Sequence, residues 1–474
     1  MGKKPTGGDK GGGKPDYVTP EYIAAQRAKR EAAKKERAEK NARLGLVPPE
    51  EAFNLEFIHR PMLRVPSADA APAPDATELK IMTYNVLGQA LIRRKLFPTN
   101  GNALKWRWRS KVLLAELRLY DADVMCLQEV DLAHLASFYV PELKKCGYDT
   151  LFHRGERKNH GLLVCWKSKR LALAASATVD YDNDPATDPA GTDRLAPQTK
   201  TRNVGLLVAL GLNGTTKGIV IGTTHLFWHP HGTLERTRQT AILARNMAAF
   251  AAAYAPWPAF LAGDFNSQPF DSPYLGLCKP RPLVLQGRAM EVLEASAAHE
   301  YKASEAEEDG DGDDDGEGAA DAGAAGGAAD DAAPPAADAA ADGAAPPAAQ
   351  PAAVRSRPAT VADVVRLHEA NDVLLRSTYG EYYAQVHPAN VDAASNGEPA
   401  FSNWAHTWRG LLDYIFVLDF PDRAVGDGEI AAGVRVLELL RLPEPAEMGP
   451  EPSGQPREGQ YPSDHLCLVA RVAV

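Results

Sequence analysis

From Leu79 onward, short apolar runs bounded by turn-forming residues alternate with stretches in which apolar residues recur every three or four positions. The first rhythm belongs to half-buried or buried strands, the second to amphipathic helices. It predicts strands at 79–86, 123–128, 148–153 and 161–166, with helices at 103–119 and 131–146. A charged turn, Arg154 to Asn159, separates the last two of these strands. A polar loop at 181–200 leads to strands at 203–210 and 218–225, a long helix at 233–254 and a strand at 259–264. Closing strands fall at 412–418, 434–440 and 466–472. These elements suit an α/β fold of two packed mixed β-sheets with helices outside, a four-layer αββα sandwich.

Three regions break the pattern. Residues 1–45 carry twelve basic and six acidic residues, a net +6. They begin Gly- and Lys-rich and turn helix-like at Thr19-Pro20-Glu21, with Thr19 as the cap and Pro20 in the first turn. They read as a basic, partly helical arm, either a solvated helix or a contact for RNA or a ribosome. Residues 46–78 read as a linker, richest in Pro, Ala and Asp over 66–77. Residues 303–354 hold fourteen acidic residues and no Lys, Arg or aromatic residue. Such a composition cannot bury a core and predicts a disordered acidic insertion in the domain of 79–474.

Charge changes meaning once that insertion is set apart. The 474 residues have a formal net charge of −10, and without the fourteen acids of the insertion the remainder stands at +4. The part expected to fold is therefore mildly basic, as suits a binder of polyanions. Five cysteines without a C-x-x-C pair read as free, mostly buried thiols in a reducing compartment. No stretch reaches the roughly 20 uninterrupted apolar residues of a membrane span, and no apolar signal core opens the chain. The expectation is a soluble, monomeric intracellular protein of the cytoplasm or nucleus, with no membrane contact.

The chemistry sits at strand ends. Asn85 closes the run from Lys80, Glu129 the run from Val124, and Asp264 with Asn266 the run through Gly263; Asp464 and His465 stand just before the last strand. Carboxylates beside polar groups at the ends of apolar strands are how a sheet offers oxygen ligands to a hard cation such as Mg²⁺, which accepts one or two carboxylates plus substrate phosphate. His465 follows Asp464 directly, so both reach one site only if the chain turns there, as Pro462-Ser463 suggests.

Taken in order, Asn85 in MTYNVLG, Glu129 in LQEV, His225 in TTHL, Asp264 and Asn266 in GDFNSQP, Asp413 in LLDYIF, and Asp464-His465 in SDH resemble the endonuclease/exonuclease/phosphatase superfamily. The tract Phe401 to Gly410 looks like the branch of carbon-catabolite-repressor deadenylases, nocturnin and Angel, most of all the fungal Ngl RNA exonucleases. The resemblance implies metal ligands Glu129 and Asp464, with Asn85, Asp264 and Asn266 near the metal or the phosphate. It makes Asp264 an orienting or deprotonating group for water, or a ligand of a second metal. His225 and His465 become phosphate contacts, His465 steered by Asp413. Trp408 and Pro230 fall where relatives hold a base; alternatively, Trp404 and Trp408 form a core stripe at four-residue spacing. His160 and His229 replace aspartates of the deadenylase pattern, which puts strict poly(A) preference in doubt.

The implied activity is Mg²⁺-dependent (or Mn²⁺-dependent) 3'-to-5' exoribonucleolysis with one or two ions, in rRNA 3'-end processing or mRNA turnover on single-stranded RNA ends. The competing expectations are a phosphodiesterase or phosphatase on a small substrate, such as 2',5'-oligoadenylate or a nucleotide cofactor, and a noncatalytic RNA- or ribosome-binding factor.

Overall fold

Apolar runs that show little alternation need burial on both faces, and two sheets packed face to face with helices outside supply it. The computed structural model describes residues 55–69, 76–93, 97, 100–302, 355–392, 394–406, 408–449 and 455–474. The expected basic arm at 1–45 and acidic insertion at 303–354 lie outside them. The first sheet runs β1 (Met62–Arg64), β16 (Arg435–Leu440), β17 (Leu468–Ala473), β2 (Glu78–Asn85), β3 (Val124–Asp131), β5 (His160–Lys167), β4 (Tyr148–His153). The second runs β12 (Leu374–Ser377), β15 (Asp413–Asp419), β10 (Ala259–Asp264), β9 (Gly218–Thr224), β8 (Val204–Leu212), β6 (Leu171–Asp180). Successive residues of a strand feed different layers. Ile81, Val124 and Cys126 join Val208, Ile221, Phe260 and Ile415 in the core between the sheets. Their neighbours Met82 and Met125 turn outward and pack with Leu113 and Leu117 of helix α1 (Trp106–Tyr120). On the other side, Val220 and Leu261 pack with Ile242, Leu243 and Met247 of helix α3 (Thr233–Ala252). This is the expected αββα sandwich.

Two parallel pairs and one antiparallel pair build a working rim. β2 runs parallel to β3 in the first sheet and β9 parallel to β10 in the second, so Asn85, Glu129, His225 and Asp264 all emerge at carboxyl ends. β15 runs antiparallel to β10 with Asp413 directly opposite Asp264, bringing its amino end to the same rim.

Several expectations are corrected. Part of the 46–78 linker is folded: Met62–Arg64 pairs with β16, and Arg60 is buried beneath it. The helix at 131–146 is broken into Leu132–His134, a π-type turn Leu135–Tyr139, and α2 (Val140–Lys145) with Pro141 at its start. The polar loop contains β7 (Asp193–Ala196), paired with β11 (Arg355–Pro358). Strand β6 was missed because LALAASATVD is mostly small residues with weak alternation. The short helices α4 (Ser272–Cys278), α5 (Arg288–Ala297), α6 (Val361–Glu369) and α7 (Thr378–Val386) were also missed. Among the described residues, no helix is long and apolar enough to cross a membrane.

Candidate active site

At the rim, the chain bends sharply as each strand ends. A register shift between Leu127 and Val130 puts Glu129 in the left-handed region at φ 57°, a conformation that a non-glycine residue adopts at a cost. The bulge turns its carboxylate inward: Asn85 Nδ2 donates to Oε1 at 2.9 Å and the Gly88 amide to Oε2 at 2.8 Å. Burial pushes the Glu129 carboxyl above its usual range, opposed by His225 and reinforced by the nearby charge of Asp464.

Asp264 is the centre of the group. Asn85 Nδ2 also donates to its Oδ2 at 2.9 Å, and Nε2 of His225 and of His465 each lie 3.6 Å from that same oxygen. Its Oδ1 accepts the Asn266 amide at 2.9 Å. Asn266 is not on the strand face; it lies beyond the strand at φ 47°, with its side-chain amide donating to the Leu226 carbonyl at 2.9 Å. Gly263 has no alternative here, since a Cβ would collide with the Thr224 carbonyl of β9.

His465 and Asp413 form a tight pair, Nδ1 to Oδ2 at 2.8 Å, both side chains almost fully buried. Burial favours a neutral carboxyl and disfavours an imidazolium. Against burial, the charges of Asp413, Asp264 and Asp464 still raise His465 well above the usual imidazole range. Asp413 is raised too, by burial, so the pair retains its proton to higher pH than an exposed histidine would. Ser402 was missed as a functional residue: its hydroxyl donates to Asp413 Oδ2 at 2.7 Å and accepts the amides of Leu412 and Asp413. Its only signal was its position inside the Phe401–Gly410 tract.

The loop placement required of Ser463-Asp464-His465 is what the structure has. Residues 462–464 form a bend before β17, Ser463 Oγ donates to the Asn85 carbonyl at 2.7 Å, and Asn403 Nδ2 donates to Asp464 at 3.3 Å. Pro230 is exposed on the loop that follows His225. Trp404 and Trp408 sit on an antiparallel hairpin, β13 (Asn403–Ala405) with β14 (Trp408–Gly410), so helical spacing was the wrong frame for them. Trp404 is buried against Phe401, whereas Trp408 is 46% exposed, which removes the core-stripe alternative for Trp408.

Beside His225 lies a narrow crevice lined by Lys158, His160, Arg202 and Asn203. Lys158 came from the segment that read as a charged turn, and Arg202 falls between the polar loop and the strand that follows it, where nothing marked either as a site residue. The His160 and His225 rings are 6.2 Å apart, so the position that departs from the deadenylase pattern belongs to this crevice wall. His229 instead joins a cluster of rings with Phe227, His231, His299 and Tyr301.

Among the described residues, Asp264, Asp413 and His465 are a buried group whose ligand atoms lie within 4.8 Å of one another and could hold a metal ion. Asp413 engages its Oδ2 with both His465 and Ser402, while its buried Oδ1 has no hydrogen-bond partner. Glu129 and Asp464 bring two further carboxylates to this rim, near enough for the charge of Asp464 to act on Glu129; oxygen ligands of this kind suit a hard divalent cation.

Residues 82–465 match the Endonuclease/Exonuclease/phosphatase family. RNA exonuclease NGL2 of Saccharomyces cerevisiae is 37% identical over 454 residues, spanning 89% of this chain and 82% of the relative. A probable RNA exonuclease of Schizosaccharomyces pombe is 36% identical over 441 residues, spanning 92% and 84%. Among solved structures, ANGEL2, a 2',3'-cyclic phosphatase, aligns with a TM-score of 0.55 at 20% identity, covering 88% of this chain and 99% of that one; the likeness is one of fold.

Proposed function

Since the chain belongs to the endonuclease/exonuclease/phosphatase family, we propose that it is a Mg²⁺-dependent 3'-to-5' exoribonuclease that hydrolyses RNA phosphodiesters to nucleoside 5'-monophosphates. The observation that carries the reading is the convergence of Asn85, His225 and His465 on one carboxylate oxygen of Asp264, with Glu129 adjoining. The named RNA exonucleases, matched over most of both chains, supply the substrate class. A noncatalytic RNA-binding factor needs no such convergence.

The metal fits the residues present. Glu129 and Asp464 are carboxylates close enough for one to raise the other's proton affinity, a repulsion that a cation between them would relieve. A bound Mg²⁺ supplies charge neutralisation on the phosphate and a more acidic water. The chain's own groups do the rest. Asp264, held by Asn85 and the Asn266 amide, orients the attacking water and accepts its proton. His225 and His465, each with Nε2 3.6 Å from Asp264 Oδ2, donate to nonbridging phosphate oxygens as charge develops there. Asp413, held by Ser402, fixes the Nδ1–H of His465 and leaves Nε2 directed at the substrate side. Lys158, His160 and Arg202 lend positive charge to the rim beside His225 that the anionic strand approaches, and exposed Trp408 and Pro230 flank the terminal base.

The test uses 5'-labelled oligo(A), oligo(U) and a mixed-sequence RNA with Mg²⁺ or EDTA. A ladder shortening from the 3' end, abolished by EDTA and reduced by several powers of ten in Glu129→Gln, is expected from loss of a metal clamp. Near-wild-type cleavage by Glu129→Gln, or inert RNA beside rapid hydrolysis of 2',5'-oligoadenylate or a nucleotide cofactor, would overturn it.

A further inference from the structure

Beneath the rim lies a buried cation that the mechanism above does not use. Arg109, on α1, is 1% exposed and makes no direct ion pair among the described residues, although the charges of Asp131 and Asp464 reach it. An unpaired buried charge is expensive unless its donors are satisfied, and here backbone carbonyls satisfy them. Nε donates to the Pro462 carbonyl at 2.6 Å and Nη1 to Gln89 Oε1 at 2.9 Å; Nη2 donates to the carbonyls of Val86, at 2.6 Å, and Leu87. Val86 and Leu87 follow Asn85 directly, and Pro462 stands two residues before Asp464. One guanidinium therefore ties the loop that follows Asn85 to the loop that carries Asp464.

The 86–90 loop shows what this tie accomplishes. Its carbonyls at 86 and 87 turn toward Arg109, which leaves its amides facing the opposite way. The Gly88 amide donates to Glu129 Oε2, and those of Gln89 and Ala90 donate to Asp131. Leu87 sits at φ 56°, a strained conformation for a leucine that persists only where its surroundings hold it. With Oε2 of Glu129 occupied by Gly88, the carboxylate's orientation follows from the loop's.

We propose that Arg109 is the positioning residue of the metal site: its fork holds the 86–90 and 462–464 loops so that Glu129 and Asp464 are presented together to a divalent cation. The inference rests on the metal-dependent reading above. A lysine in its place keeps the charge but loses the planar fork that spans both loops.

The experiment measures Mn²⁺ binding to the RNA-free full-length protein by electron paramagnetic resonance of the free ion, alongside thermal melting and steady-state kinetics at several Mn²⁺ concentrations. Arg109→Lys is expected to weaken Mn²⁺ binding by ~10–100-fold, the usual effect of losing an outer partner of a metal ligand. High Mn²⁺ should restore turnover, and the KM for RNA should stay within about twofold, because the substrate does not touch this group. Gln89→Ala removes one of the four acceptors from a partly exposed position and should give a smaller weakening in a normally melting protein, which keeps the test valid if Arg109→Lys fails to fold. Wild-type Mn²⁺ affinity in a cooperatively melting Arg109→Lys, or in Gln89→Ala when Arg109→Lys does not fold, overturns the inference. Glu129→Gln separates the two readings. If it too binds Mn²⁺ like wild type, the site assignment falls; if it loses binding while the Arg109 and Gln89 variants do not, only the positioning role falls.

Discussion

Glu129, Asn266 and Leu87 all stand at positive φ within the site or the loop beneath it, a concentration of backbone strain where precise presentation of side chains matters more than local stability. Such residues work through their neighbours, and the Ser402–Asp413–His465 chain is the clearest case. Asp413 receives both the Ser402 hydroxyl and the His465 Nδ1–H, so an asparagine there removes the charge that favours the imidazolium while filling the same space. We expect Asp413→Asn to lower kcat by ~10–100-fold with KM for RNA within about twofold, the pattern of an interaction needed chiefly in the transition state. A fall in activity that merely tracks a fall in folded fraction would instead mark Asp413 as structural. The strand-end residues were legible in the sequence because each terminates an apolar run, where an acid or amide has no place in the core. Ser402 and Arg109 were not legible. Their roles depend on partners 11 residues away and on loops 20 to 353 residues away, and an arginine directly after Trp108 in the first turn of α1 reads simply as a polar helix position.

The hairpin β13–β14 shows how an element divides adjacent residues between core and substrate. Trp404 faces Phe401, with Arg409 4.9 Å over its ring, while Trp408 on the facing strand turns outward. Stacking a base on an exposed ring is worth about 1–3 kcal/mol, so Trp408→Ala should cost one to two powers of ten in kcat/KM for RNA, roughly. Its melting temperature should scarcely change, and a large melting shift with intact kinetics would detach Trp408 from the substrate. The segment leading into this hairpin carries a second titratable device. Glu398 is buried, accepts the Tyr274 hydroxyl at 2.9 Å, and is pushed up to about 7 by burial, against the hydrogen bonds of Ser377 and Tyr274. A carboxyl raised in the folded state binds protons more tightly than in the unfolded chain. Its stabilising contribution is therefore full below the ordinary glutamate value near 4.5 and is lost as pH rises through about 7. Glu398→Gln should flatten the stability profile over that window, whereas an unchanged pH slope measured by urea denaturation would rule the group out. Elements with strong rhythm were predicted within a few residues, as β4 and β10 were. The hairpin and β6 were missed because three-residue strands and runs of alanine and serine carry little periodicity.

At the scale of the molecule, the sandwich was legible because strands buried on both faces leave long apolar runs. The order in which they pair was not, since register arises from contacts far apart in sequence. The domain's amino-terminal edge is the main consequence. The linker reading of 46–78 rested on composition, yet Arg60 donates to the carbonyls of Arg441 at 2.8 Å and Cys467 at 2.5 Å, and lies 3.6 Å from Glu116 with both side chains 1% exposed. Tyr84 completes the group, donating to Glu116 at 2.7 Å. Removing one partner of a buried ion pair leaves the other charge unpaired and typically costs about 3–5 kcal/mol, a large share of the roughly 5–15 kcal/mol by which domains are stable. Two truncations should therefore behave differently. Deleting residues 1–45 removes a net +6 and should leave melting and single-turnover cleavage of a short oligomer unchanged. The salt dependence of binding to a long single strand should fall, by as much as about 4 in the log–log slope if every net charge met a phosphate. Deleting residues 1–69 removes Arg60 and β1 together, exposes the edge of β16 and strands Glu116, so it should lower the melting temperature sharply or abolish soluble folding. A 1–69 deletion that melts like wild type would return these residues to the linker. A 1–45 deletion that cannot cleave a short oligomer at saturation would instead carry the arm into the catalytic domain.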